Sequence, residues 1–325
     1  MMLPVAWHDI EAARRRIDGL VHRTPVFTSQ TISRSAQADV YFKCENLQRT
    51  GSFKYRGATN AVRSHCTSAG VYAHSSGNHA QALALAARIR GVPAHIVMPE
   101  NSNPAKIAAT KAYGARVVLC SPTHEDRWRT ADRVGRETGA TLVHPHDDPA
   151  VIAGQGTAIC ELIEETGPLD LILVPVGGGG LLSGALIAVR KLLPNAIVIG
   201  LEPAGADDAS RSLAMGHRIT DFTPQTIADG LRTPLGENTF EIIRRLVDEI
   251  LVVPEAEILP AMQTVWERMK LVIEPSAAVA VAPLLSGVLP ARGRTVGVVL
   301  SGGNVGFPNR EFFAPAGGVT GHPVV

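Results

Sequence analysis

Short apolar runs alternate with helical segments along most of this sequence, and the alternation restricts the fold more than any other feature. Strand character is found at residues 40–44, 71–74, 94–98, 116–119, 171–176, 197–202 and 295–301. Helical patterns lie at 78–90, 105–113, 127–138, 154–166 and 181–192. Several of the strand runs are apolar throughout, as expected for strands covered on both faces. The sequence therefore predicts an α/β fold with open, twisted, mostly parallel sheets and helices on both faces.

The length of 325 residues favours two domains over one. Two segments, 91–97 and 114–118, each begin with a glycine after a helical pattern and continue into a strand pattern. Such glycines commonly end helices. The two units predict a compact small domain at residues 70–147 that moves relative to a large domain formed by 1–69 and 148–325.

Composition excludes several classes of partner. The formal net charge is +1, without a long block of one sign, so we expect neither nucleic-acid nor membrane-surface binding. Residues 171–189 are uncharged, but Pro175 and four glycines in their middle favour a strand, a loop and a helix over a membrane span. The N-terminus lacks a signal-peptide pattern, and none of the four cysteines forms a CxxC pair, which favours a reducing, cytoplasmic location.

Four consecutive glycines, Gly177, Gly178, Gly179 and Gly180, separate a buried strand pattern from a helical one. Without side chains, their backbone N–H groups can approach a phosphate closely. A dinucleotide fold is the rival, because Glu202 follows about 20 residues later, where a ribose-binding acid would lie. The GxGxxG spacing fails at Ser183, however, and no lysine follows the loop as in a Walker motif.

Two polar segments lie near predicted helix starts. Lys54 stands among small residues in 50–57, where burial and a helix N-terminus would lower its pKa and leave a nucleophilic amine; an ordinary surface lysine is the alternative. Ser75, Ser76, Asn78 and His79 follow the strand pattern 71–74 and precede a helix, the place where α/β proteins bind anions. A simple N-cap would need only one such residue.

Two further segments give weaker indications. Ser301 ends the last apolar run and is a neutral candidate partner for a heterocycle nitrogen, with a plain turn as the alternative. Residues 202–208 combine carboxylates with free carbonyls, which suits a hard cation, although the spacing alone also fits a solvated acidic turn.

Taken together, these motifs resemble those of serine racemase and the short threonine/serine dehydratases, which are fold type II pyridoxal phosphate enzymes with a tryptophan synthase β-like fold. The resemblance extends from about residue 10 to residue 304. It rests on GSFKYRGA at 51–58, SSGNH at 75–79, PAVIAGQG at 149–156, TIADG at 226–230 and VWERMKLVIEP at 265–275.

The resemblance implies a role for each candidate residue. Lys54 would hold pyridoxal 5'-phosphate and act as the base on one face, and Ser76 would donate and accept a proton on the other. Cofactor contacts would come from Phe53, Asn78, Gly177, Gly178, Gly179, Gly180, Leu181 and Ser301. Substrate contacts would come from Ser75, Ser76, Asn78, His79 and Arg127. Glu202, the carbonyl of Ala206 and Asp208 would bind Mg²⁺ or another divalent cation.

The activity implied is deamination of L-threonine and L-serine to a 2-oxo acid and ammonia. Serine racemisation is an alternative, as is dehydration of 3-hydroxyaspartate or phenylserine. Two residues depart from the racemase pattern: Trp128 stands where mammalian racemases are expected to have Glu, and Ala80 stands where Gly is usual. These departures favour the dehydratase over the racemase. We expect a homodimer acting on a small amino acid.

Overall fold

The computed structural model describes residues 3–289 and 291–306, so the last residues of the predicted large domain, 307–325, lie outside it. The helices are α1 (Trp7–Ile17), α2 (Gln30–Ala36), α3 (Lys54–His65), α4 (Asn78–Arg90), α5 (Pro104–Ala112), α6 (His124–Thr138), α7 (Pro149–Thr166), α8 (Gly180–Leu192), α9 (Asp208–Met215), α10 (Glu237–Leu246), α11 (Glu255–Met269), α12 (Pro275–Ala278) and α13 (Ala282–Ser286). The strands are β1 (Val26–Thr28), β2 (Asp39–Cys44), β3 (Val71–His74), β4 (Ala94–Pro99), β5 (Arg116–Cys120), β6 (Thr141–Leu142), β7 (Leu171–Pro175), β8 (Ile197–Pro203), β9 (Glu249–Val253) and β10 (Thr295–Leu300).

The strands form two separate sheets. The six-stranded sheet has the order β1-β2-β10-β7-β8-β9, and the four-stranded sheet has the order β5-β4-β3-β6. Among the pairs of named strands, only β1 with β2 is antiparallel. The predicted α/β fold with mostly parallel sheets is therefore confirmed.

The predicted strands and helices are observed with small shifts at their ends. The strands absent from the prediction are β1, β6 and β9. β1 and β6 have three and two residues, too few to show a period in the sequence. β9 lies at the edge of the six-stranded sheet and contains an apolar run at 250–253, which was not predicted as a strand.

Helix packing fixes the position of α3, the helix that begins at Lys54. α3 crosses α7 where Gly57 faces Gly154, and a Cβ atom at Gly154 would lie 2.6 Å from the Gly57 Cα. α7 in turn meets α8 at Gly184, where a Cβ would lie 2.5 Å from the Gly156 nitrogen. These close backbone contacts leave little freedom for α3 and α8 to shift against each other.

The uncharged stretch 171–189 folds as β7, the glycine loop and the start of α8, as its proline and glycines predict. In the part of the chain that the structure describes, no helix is both long and apolar enough to cross a membrane.

Candidate active site

The candidate residues gather where the carboxyl ends of parallel strands meet. In the large sheet, β2, β10 and β7 are neighbours. The segment with Lys54 follows β2, Ser301 follows β10, and the glycine loop follows β7. In the small sheet, the loop 75–79 follows β3 and the segment 143–148 follows its neighbour β6. Open α/β sheets bind ligands at such edges. Contacts between the two sheets then bring the two edges together.

Lys54 is the first residue of α3, as the sequence predicts. Its Nζ donates a hydrogen bond of 2.8 Å to the carbonyl oxygen of Pro145 and lies 5.1 Å from the ring centre of Phe53. The Phe53 amide donates to the Ser301 carbonyl at 3.0 Å, which ties the start of α3 to the end of β10. Burial of the amine lowers the pKa of Lys54 to about 8, against a smaller opposing effect of Glu274. About a tenth of the amine is then unprotonated and nucleophilic at pH 7, far more than for a lysine with the ordinary pKa.

Arg56, two residues later, is completely buried in a charged cluster. Its guanidinium donates to both carboxylate oxygens of Glu45, each at 2.8 Å, and to both oxygens of Glu161, at 2.6 and 2.7 Å. Lys43 Nζ is a further cation in the cluster, 2.7 Å from Glu161. Paired, hydrogen-bonded charges are the form in which such groups are tolerated inside a protein. The cluster joins the first turn of α3 to α7 and to the end of β2.

The loop 75–79 is connected to the large sheet through Asn78. Asn78 Nδ2 donates to Glu274 at 2.8 Å, and Asn78 Oδ1 accepts from Asn304 Nδ2 at 2.9 Å. The N-cap of α4 is Gly77, without a side-chain hydrogen bond. Ser75 and Ser76 therefore do not serve as side-chain caps, which weakens the simple capping explanation for this loop.

His79 is buried behind the loop. Its Nε2 lies 3.1 Å from the Val143 carbonyl, and since a carbonyl can only accept, Nε2 carries the proton. Burial, followed by the Lys54 charge, lowers the pKa of His79 to about 3, so the ring is neutral.

The glycine loop is enclosed on several sides. Gly179, with φ +84°, is the N-cap of α8, and no side chain caps this helix. A Cβ atom at Gly178 would overlap the imidazole of His146, and one at Gly177 would lie 2.9 Å from Leu231 Cα. The Gly178 carbonyl accepts from the Thr239 hydroxyl at 2.9 Å. The first-turn amides of α8, which reach Leu181, thus form an uncapped helix N-terminus suited to an anion.

Glu274 was not identified in the sequence as a site residue. It is buried, and it joins Asn78 to Asn304, whose amide donates to Glu274 Oε2 at 3.2 Å. Burial and the charge of Asp229 raise the pKa of Glu274 to about 7. Ser301 is buried nearby at the end of β10. In the sequence, Glu274 differs from other acidic residues only in that it directly follows the apolar run 271–273.

The segment 143–148 was also missed. His144 and His146 flank Pro145, whose carbonyl binds Lys54, and their ring centres are 4.5 Å apart. The Asp147 carboxylate accepts from the amides of Glu237 and Thr239, both at 3.0 Å, at the N-terminus of α10. The sequence signal was a polar His-Pro-His-Asp-Asp run between two elements.

Arg127 lies on α6, and the acidic turn follows from the end of β8. The Arg127 guanidinium donates to the Pro122 carbonyl at 3.2 Å, and its Nε has no partner within the described residues. The adjacent Trp128 reaches His74, with ring centres 4.2 Å apart. Within the described residues, no hydrogen bond or ion pair joins Arg127 to the loop 75–79, so its role in substrate binding stays a prediction.

At the acidic turn, Glu202 and Asp208 are buried close to the end of β8. Burial raises the pKa of Glu202 to about 8 and that of Asp208 to about 7. Glu202 accepts from the amides of Ala209 and Ser210, whereas Asp208 Oδ2 is buried without a partner in the described part. No cluster of three or more His, Cys, Asp or Glu able to hold a metal is found within residues 3–289 and 291–306. With a backbone carbonyl such as that of Ala206, the two carboxylates still suit a hard cation.

The arrangement fits pyridoxal 5'-phosphate. An aldehyde requires an unprotonated amine, which Lys54 provides, and a phosphate requires donors free of side chains, which the uncapped glycine loop provides. Phe53 lies beside Lys54 and is joined to Ser301, and Asn78 binds the buried Glu274. The residues present therefore match both the aldehyde and the phosphate of the cofactor.

Comparisons with known proteins agree with this geometry. Residues 17–302 match the family described as "Pyridoxal-phosphate dependent enzyme". The chain is 47% identical to the L-threo-3-hydroxyaspartate ammonia-lyase of Pseudomonas sp, over 92% of this chain and 95% of the relative. It is 46% identical to the serine racemase of Homo sapiens, over 93% and 92%. The crystal structure of a threonine deaminase from T.th. superposes with a TM-score of 0.88 at 45% identity, over 93% of this chain and 99% of that one. The chain therefore belongs to the pyridoxal-phosphate-dependent enzymes, among their ammonia-lyases and amino-acid racemases.

Proposed function

We propose that this enzyme is an ammonia-lyase that converts L-threonine and L-serine to the 2-oxo acid and ammonia. The observation that carries the proposal is the buried Lys54 amine, with a pKa of about 8, close to an uncapped glycine loop. When bound, pyridoxal 5'-phosphate supplies an electron sink that makes an α-proton easier to remove.

The residues divide the remaining tasks. Lys54 Nζ removes the α-proton of the substrate, and Ser75, Asn78 and His79 at the start of α4 bind its carboxylate. Phe53, Asn78, Leu181, Ser301 and the four glycines position the cofactor. Because the Ser301 hydroxyl is neutral, it withdraws less charge than a charged partner would. This favours rapid loss of the β-hydroxyl over a long-lived carbanion, and hence elimination.

Racemisation and a different substrate are the second candidates. Ser76, in the loop opposite the Lys54 segment, carries a hydroxyl that can return a proton to the α-carbon, which would invert the amino acid. A relative 47% identical to this chain is an L-threo-3-hydroxyaspartate ammonia-lyase, which favours 3-hydroxyaspartate as an additional substrate.

A panel of 3-hydroxy amino acids, assayed for ammonia and 2-oxo acid, tests the proposal. L-threonine and L-serine should both be deaminated, and Lys54→Ala should abolish this turnover and the visible absorbance of the cofactor. Chiral chromatography of the remaining serine measures racemisation. Retained 2-oxo acid formation by Lys54→Ala would refute the assignment.

We also propose that Glu202, the Ala206 carbonyl and Asp208 bind Mg²⁺ or a similar cation. The buried Asp208 oxygen without a hydrogen-bond partner among the described residues supports this site.

Residues 70–147 are proposed to form a small domain that closes over substrate against 1–69 and 148–325, because the four-stranded sheet lies wholly within that range. A homodimer is proposed, which sedimentation velocity would test. The four cysteines are all free, which supports a reducing, cytoplasmic location.

A further inference from the structure

His144 is held in one tautomer by the backbone. The amide of Asp147 donates a hydrogen bond of 3.0 Å to His144 Nδ1, and the amide of His146 approaches the same nitrogen at 3.5 Å. An atom that accepts an N–H cannot also carry a proton in that direction, so Nδ1 is unprotonated. Burial lowers the pKa of His144, which keeps the ring neutral. The single ring proton therefore resides on Nε2.

The Nε2–H points away from the backbone that fixes the ring, because the two imidazole nitrogens lie on different edges. Within residues 3–289 and 291–306, this N–H has no hydrogen-bond partner, and the residue is partly exposed. Neighbouring rings hold the imidazole in place: Trp128 stacks at 6.1 Å with an angle of 23°, and His146 meets it edge-on at 4.5 Å. A fixed donor thus faces open space.

That space adjoins the proposed reaction centre. His144 directly precedes Pro145, whose carbonyl is 2.8 Å from Lys54 Nζ. On the other side, its ring centre is 6.3 Å from that of His74, the residue before the loop 75–79. A substrate whose carboxylate is bound by that loop and whose α-carbon faces Lys54 has its β-hydroxyl oxygen only two bonds from the α-carbon.

We propose that His144 Nε2–H donates a hydrogen bond to the β-hydroxyl oxygen of the substrate as that oxygen leaves. This inference rests on the proposed ammonia-lyase function. Lys54 Nζ takes the α-proton, and the electron pair left behind forms the double bond between the α- and β-carbons. The β-carbon–oxygen bond breaks, and its electron pair departs with the oxygen. The Lys54 ammonium then returns the proton to that oxygen, which leaves as water.

His144 keeps its own proton throughout this step. A neutral imidazole that gave up its N–H would become an anion, whereas a hydrogen bond to the departing oxygen stabilises the charge that develops there without such a transfer. The role therefore applies to elimination and not to removal of the α-proton.

His144→Asn separates the donor from the backbone contact. Asparagine Oδ1 can accept the Asp147 amide in place of Nδ1, but the side chain is too short to place a donor at the Nε2 position. We expect kcat for L-serine to fall about 100-fold, the usual effect of losing one such donor. Elimination from β-chloro-L-alanine should remain close to the wild-type rate, because chloride leaves without a proton or a donor. Exchange of the α-proton in D₂O should also remain.

His217→Asn is a matched control. His217 is exposed near the end of α9, with Nδ1 3.2 Å from the Met215 carbonyl, and its replacement should leave all three rates unchanged. Independently of turnover, nitrogen chemical shifts from two-bond correlation NMR of the full chain should show His144 protonated on Nε2. A proton on Nδ1 would overturn the proposal.

The outcomes separate this role from the proposed function. Equal losses of His144→Asn on L-serine, β-chloro-L-alanine and α-proton exchange would show that the residue only shapes the site, and would overturn its role as a donor. An undiminished rate with L-serine would overturn it as well. If wild-type enzyme eliminates neither substrate, the ammonia-lyase function itself fails.

Discussion

Replacing Arg56 tests the charged cluster that supports the start of α3. Arg56→Met removes a guanidinium that makes four hydrogen bonds of 2.6–2.8 Å to two carboxylates. The Arg56 and Glu45 side chains are fully buried, and that of Glu161 is only 12% exposed. Because the carboxylates would remain buried without their main partner, we expect the free energy of unfolding to fall by about 3–5 kcal/mol.

Urea unfolding of the enzyme, followed by circular dichroism, measures this loss. Arg56→Lys should also destabilise, because an ammonium cannot form paired bonds to two carboxylates at once. The matched control is Arg133→Met, which breaks the Arg133–Glu137 pair, where both side chains are more than half exposed and the distance is 3.5 Å. Exposed pairs contribute only about 0–1 kcal/mol. An Arg56→Met loss no larger than that of Arg133→Met would refute the reasoning.

Three further predictions concern the site. Gly178→Ala places a methyl group against the His146 ring; overpacking of about 1–3 kcal/mol should distort the loop and weaken cofactor binding, measured by titration of the visible absorbance. Asp147→Ala removes the carboxylate that caps α10 and should lower the stability by about 0.5–2 kcal/mol in urea unfolding, with unchanged stability as the contrary result. The raised pKa values of Glu202 and Asp208, about 8 and about 7, stabilise the metal-free fold at low pH, and that contribution is lost as pH rises through those values. Mg²⁺, which needs both carboxylates ionised, should therefore raise Tm more at pH about 9 than at pH about 6, and equal shifts would argue against the site.

The sequence was informative where function depends on consecutive residues. The glycine loop and the loop 75–79 each follow an apolar strand and precede a helix, so local pattern placed them at the carboxyl edge of a sheet. The same logic predicted the parallel sheets, since buried strands such as β7 are apolar along their whole length. The three-residue strand β1 is too short to show such a pattern, whereas β9 carries an apolar run at 250–253 that was not predicted as a strand.

Contacts between distant parts of the chain were not predictable in this way. Lys54 and the Pro145 carbonyl are 91 positions apart, and Asn78 and Glu274 are 196 apart. Each pairing depends on how the two sheets meet, which hydrophobic periodicity does not specify. Arg56 illustrates the limit: two positions after a lysine in the sequence it resembles a surface cation, yet in the fold it is buried between two carboxylates.

The central claim is that the amine of Lys54 carries the cofactor. Treating the yellow holoenzyme with borohydride fixes an amine-bound aldehyde irreversibly, and peptide mass spectrometry then locates the modified lysine. We predict one pyridoxyl group, on Lys54, and its loss when Gly178→Ala weakens cofactor binding. A label on another lysine, or an unmodified Lys54 in fully reduced holoenzyme, would contradict the account.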